Sequence, residues 1–126
     1  MVDRASVWPY NTHIHTKEQL MIDNIEYIHN TAAAAAQKAT AEFLAKHGDC
    51  GACGFAWVVV KAKGSTKLGR ALKAVGFRKE HGGGLSIWNP SGSGTQSIDA
   101  KEDGAIAYAK VMAQFGIEAY AASRLD

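Results

Sequence analysis

Cys50 and Cys53 form a C-x-x-C pair, a spacing that supplies half of a tetrahedral zinc site. His13 and His15 could provide the other half if the N-terminal arm folded back. A second C-x-x-C is missing. Redox use would need the first cysteine at a helix N-terminus after a strand. Here the pair follows a helical pattern and precedes a strand pattern, so its ordinary reading is two small residues at a corner. No metal or cofactor is expected. Gly64, Ser65, Thr66 and Lys67 partly match a phosphate loop. The upstream glycine is absent and the lysine follows the hydroxyls, so only a basic helix start able to hold an anion remains. The chain has no G-x-S-x-G, no H-E-x-x-H and no paired carboxylates in one segment. No catalytic residue is therefore assigned.

Binding chemistry concentrates in residues 76–103. This stretch holds six of the thirteen glycines, one of the two prolines and one of the three tryptophans. Glycine lets a backbone or ligand approach closely, at an entropic cost on ordering. The hydroxyls and amides of 89–99 could form an anion nest or could be a solvated connection. The expected ligand-binding residues are His81, Gly83, Trp88, Asn89, Ser91, Ser93, Thr95 and Gln96, joined by Lys67 and Arg70. The two basic residues belong to a run from Lys61 to Lys79 with seven basic and no acidic side chains, in a chain of net charge +2. Such a run attracts phosphate or an acidic partner, or is a solvated helix face. Phe55 and Trp57 alternate on one strand, and with Trp88 they could form a base-stacking sheet face. Against this, the alternating aromatic pattern typical of RNA-binding sheets is absent from 79–90.

These groups need a scaffold, and its outline is readable. Residues 1–15 form an N-terminal arm, broken by Trp8-Pro9-Tyr10. Thr16 and Gln19 match a capping box that opens a long helix, 16–47, stopped by Gly48. Met21, Ile25, Ile28, Ala32, Ala35 and Ala39 follow heptad spacing. Unbroken, that helix would run ~45 Å, against a body roughly 35 Å across. It must break, for instance at 29–31, or overhang and self-associate. The alanine run 32–36 would admit a second backbone, or simply favours helix. A strand follows at 54–61, then a short helix capped by Ser65, with Leu68, Leu72 and Val75 inward and Gly76 as its stop. Strands at 77–81 and 85–89 flank the triple glycine as a hairpin. A helix from Asp99 to Phe115 turns Ala105, Tyr108, Met112 and Phe115 inward, and 117–123 forms a last strand. Arg124 and the terminal carboxylate could close as a structural ion pair.

The order after the first helix, β-α-β-β-α-β over 54–123, predicts a single α+β domain of ferredoxin-like type with an additional long N-terminal helix. No apolar run follows the charged N-terminus, and 55–60 is too short to span a bilayer, so a cytoplasmic protein without membrane contact is expected. The segments CGFAW (53–57), GGGLSIW (82–88), QSIDAKEDGAIAYAKV (96–111) and AYAASRLD (119–126) resemble a family of small uncharacterised bacteriophage proteins, over roughly residues 50–126. The resemblance implies work in the infected host's cytoplasm and carries over no catalytic or ligand residue. The expectation is a binding protein of phage type that engages a host protein or small anionic ligand through the glycine-rich loop and basic face. It would form a homo-oligomer through the N-terminal helix. The alternatives are a nucleic-acid-binding domain using the sheet face and a small enzyme acting on a nucleotide-like substrate.

Overall fold

The structure, a computed structural model, describes residues 17–126. The N-terminal arm, the Thr16 cap and the two histidines considered as metal ligands lie outside the described residues. Four helices and four strands follow in the order α1 (Lys17–Asp23), α2 (Ile25–His47), β1 (Gly54–Val60), α3 (Lys67–Ala74), β2 (Arg78–Lys79), β3 (Leu85–Trp88), α4 (Ile98–Gln114) and β4 (Ala119–Leu125). The strands form one antiparallel sheet in the order β2-β3-β1-β4.

The long N-terminal helix breaks, but at Asn24 and not at 29–31. Asn24 leaves helical geometry at φ −111°, ψ 16°. It is buried, and its Nδ2 donates to the Leu20 carbonyl at 2.9 Å. A side chain that competes for backbone partners in this way favours departure from the helix. Beyond the break, Ile28, Ala32, Ala36 and Thr40 form the fully buried stripe of α2. This is an i, i+4 row in place of a heptad seam, and its main partner is α4 of the same chain. The alanines let the two helices approach so closely that a Cβ on Gly104 of α4 would lie 3.2 Å from the Ala36 carbonyl oxygen and 2.5 Å from Thr40 Oγ1. Of the alanine run expected to admit a second backbone, Ala32 and Ala36 are thus covered by α4 of the same chain.

The core lies between this helical layer and one sheet face. Ala56, Val58 and Val60 of β1 and Leu85 of β3 meet Ile28, Leu72, Tyr108 and Met112. The inward residues expected of the last helix, Ala105, Tyr108, Met112 and Phe115, are all buried. Leu72 is fully enclosed in α3, with Leu68 and Val75 packed beside it. Both helix starts shift by one or two residues. Thr66, not Ser65, caps α3 by accepting from the Gly69 amide at 3.0 Å. Ser97, not Asp99, caps α4 by accepting from the Ala100 amide at 3.2 Å. Each hydroxyl serves an amide left free in its helix's first turn. Tyr108 hydroxyl and His29 Nδ1 share a hydrogen bond of 2.7 Å within this layer. Burial raises the phenol pKa and lowers that of the imidazole, holding both groups neutral.

Candidate binding face and its basic rim

Strand geometry sends successive side chains to opposite faces, and the core occupies the Ala56–Val58–Val60 side of β1. Phe55, Trp57 and Val59 therefore occupy the other side. Directly paired residues share a face, and the register places Trp57 between Trp88 and Ala122, Val59 between Ser86 and Tyr120, and Phe55 beside Arg124. This face, on which no helix packs among the described residues, assembles four aromatic side chains from three strands. Trp57 and Trp88 stack with centroids 4.7 Å apart and planes 19° apart, close to the spacing between strands. Phe55 meets Trp88 edge to face at 6.0 Å. Val59 and Ser86 at the centre are buried, whereas Trp88 is 50% and Tyr120 48% exposed. The two-residue β2 reaches only Leu85 and Ser86. Among the described residues, β3 therefore has no strand neighbour on the far side of Trp88, and the indole is half exposed.

Cations border these rings. Lys101 Nζ lies 5.3 Å and the Arg124 guanidinium 5.7 Å from the Phe55 ring, and Lys61 Nζ lies 6.0 Å from that of Tyr120. Lys101 Nζ also donates to the Gly54 carbonyl at 3.0 Å, which fixes it at the foot of the sheet. At the head, Lys61, Lys63, Lys73, Arg78 and Lys79 gather around the end of β1 and the 80–84 hairpin. Among the described residues the ion pair that forms lies elsewhere, Lys38 with Glu42 at 4.0 Å on exposed α2 surface. Among the described residues, none of the cations at the head of the sheet forms an ion pair.

The expected ligand residues divide between the two ends of the sheet. His81 and Gly83 are exposed on the hairpin at the head, and Lys67 and Arg70 are exposed on α3. Trp88 stands on the sheet face. Asn89, Ser91, Ser93, Thr95 and Gln96 lie at the foot, where Asn89 N–H donates to the Ala56 carbonyl at 3.0 Å and the Gly54 amide to the Gln96 carbonyl at 3.2 Å. Residues 91–97 bond internally. The hydroxyl of Ser91 accepts from the Ser93 amide, Ser93 from Thr95, and Thr95 from Ser97. Thr95 Oγ1 also donates to Asp49, and Asn89 Nδ2 donates to the Ser93 carbonyl at 2.9 Å. Ser91, Thr95 and Ser97 are buried. An anion nest needs free amides converging on a concavity; here the amides of residues 93, 95 and 97 are already satisfied. Gln96 is exposed, accepts from Cys53 Sγ at 3.5 Å and lines a cavity of about 220 Å³ with Phe55 and Lys101.

Sequence reasoning missed Tyr120, Arg124 and Lys101 as members of the face. The alternation of Tyr120, Ala122 and Arg124 contained the signal for two of them; Arg124 lies over Phe55 and is exposed. Cys50 and Cys53 are exposed free thiols, and Cys50 Sγ donates to the His47 carbonyl at 3.1 Å. Among the described residues no cluster of three or more His, Cys, Asp or Glu side chains could hold a metal, and no helix is long and apolar enough to cross a membrane. Comparison of the chain with protein-family models, curated proteins and solved structures returned no match.

Proposed function

We propose that this protein is a non-enzymatic binding protein whose ligand is single-stranded nucleic acid laid across the aromatic sheet face. The observation that carries this reading is the Trp57–Trp88 stack, in which Trp88 is half exposed beyond the end of β2. Aromatic rings on a sheet accept bases of any sequence, and neighbouring cations follow the phosphate backbone. A ferredoxin-like reading of the fold belongs to the same proposal. It is supported by the order β2-β3-β1-β4, in which the first and third strands are central and carry the stacked pair. A second reading keeps a host protein as partner, in keeping with the phage-type resemblance and a cytoplasmic setting. It is favoured by the half-exposed Trp88 and Tyr120, residue types enriched at protein interfaces.

Titration of fluorescently labelled oligo-dT and oligo-U at several salt concentrations tests the first reading. If about three cations contact phosphates, log K should fall with log salt at a slope near −2. Trp88→Ala should lower affinity by roughly tenfold or more, since one stacked base is worth ~1–3 kcal/mol. No binding at low salt or a flat salt response rejects nucleic acid and leaves the protein-partner reading, and undiminished affinity in Trp88→Ala rejects the sheet face as the site.

A further inference from the structure

We infer that the head of the sheet contains a phosphate-class oxyanion site in a cavity of about 360 Å³ between the end of β1, the start of α3 and the 80–84 hairpin. Lys63, Lys73 and Lys79 line it, together with the backbone of Gly64, Ser65 and Gly84, and no Asp or Glu does. Three lysine side chains line one concavity, and a multivalent anion held there would be attracted by all three charges at once. Lys73 folds back over the loop before its own helix: a Cβ on Gly64 would sit 2.6 Å from its Nζ. Gly84 brings the hairpin against β1 at φ +81°, where a Cβ would lie 2.5 Å from the Val60 carbonyl oxygen. The two glycines let the Lys73 ammonium and the hairpin pack closely against the neighbouring backbone, which holds the lysines around the cavity. Lysine is a compact point charge suited to phosphate oxygens.

The inference does not depend on the sheet-face reading, but the geometry connects the two. A second cavity of about 290 Å³ shares Ala62, Lys63 and Gly84 with the first and reaches Lys61 and Tyr120. A phosphomonoester at the end of a strand lying on the aromatic face could enter by this route, and so could a free phosphate compound.

Wild-type protein is titrated with inorganic pyrophosphate at constant ionic strength, with chloride as reference, and followed by amide NMR. Saturable shifts at Gly64, Ser65 and Gly84 are expected, weakened at least tenfold in K63Q/K73Q/K79Q and unchanged in the distant control K46Q/K110Q. All five lysines are exposed, and the wild-type shift map stands even if a variant folds poorly. A 5′-phosphorylated oligonucleotide that binds several-fold tighter than its 5′-hydroxyl twin, in wild type but not in the triple variant, identifies a strand end as the source. Equal affinity of the twins beside pyrophosphate binding identifies a free phosphate compound. Pyrophosphate binding without oligonucleotide binding upholds the cavity and rejects the sheet-face reading. No saturable shift, or shifts that persist in the triple variant, overturns the site even if oligonucleotides bind the face.

Discussion

Gly104→Ala should destabilise the protein, although alanine is the better helix former. Gly104 is buried in the middle of α4. In an open helix the change would gain about 1 kcal/mol. Here the new methyl would meet Thr40 Oγ1 at 2.5 Å, Ser91 Cβ at 3.1 Å and the Ala36 carbonyl oxygen at 3.2 Å. The carbonyl belongs to α2 backbone and cannot rotate away. Thr40 is 1% exposed and donates to the Ala100 carbonyl at 2.7 Å, so moving it disturbs a buried hydrogen bond. Overpacking costs ~1–3 kcal/mol and a displaced buried hydrogen bond ~1–3 kcal/mol. Against the propensity gain of about 1 kcal/mol, the net loss should be roughly 1–5 kcal/mol, read in urea as a midpoint lowered by ~1 M or more at unchanged slope. Thr40→Ala removes the closest contact, so T40A/G104A should lose less than the two single variants combined, with a coupling of about 1 kcal/mol. If Gly104→Ala stabilises the protein, the two helices do not approach as described, and the internal cover of the alanine stripe is refuted with it.

Two further outcomes follow from the helical layer. Because burial lowers the folded-state pKa of His29, the unfolded chain binds its proton first as pH falls. Stability should then be level above about pH 7 and decline below ~6.5, the unfolded histidine value. Urea midpoints across that range should show the decline in wild type and a reduced slope in His29→Asn; equal slopes count against the part-buried His29–Tyr108 pair. Ser97→Ala removes the α4 cap from a residue only 2% exposed. It should cost ~1–2 kcal/mol, lowering Tm by roughly 3–8 °C, as read by calorimetry. An unchanged Tm would show that α4 does not depend on that hydroxyl.

Much of this scaffold is legible because its signals are local. Gly76 and Gly116 have the positive φ of helix stops, and Gly83 and Gly84 have that of a hairpin, conformations that glycine supplies without steric cost. The break at Asn24 is harder to read, since no proline or glycine marks it and it depends on a side chain buried by tertiary packing. The facing of β1 is undecidable from the strand itself, because Phe55, Trp57 and Val59 are as apolar as Ala56, Val58 and Val60. What decides it is the closeness of α4: a tight helix–sheet layer accepts alanine and valine, and the large rings take the outer face. The expected ligand residues separate for a topological reason. β3 runs the length of the sheet between His81 and Asn89, so residues eight apart in sequence lie at opposite ends of it.

The paired indoles also give the molecule an optical reporter. Two identical chromophores this close share their excited states, and the coupling depends steeply on separation and mutual tilt. A ring sliding against the outer face of Trp88 leaves that geometry nearly intact and mainly dims emission. A ring wedged between Trp57 and Trp88 parts the chromophores and abolishes their coupled circular-dichroism band. The mode of ligand entry can thus be read from unlabelled protein in a cuvette.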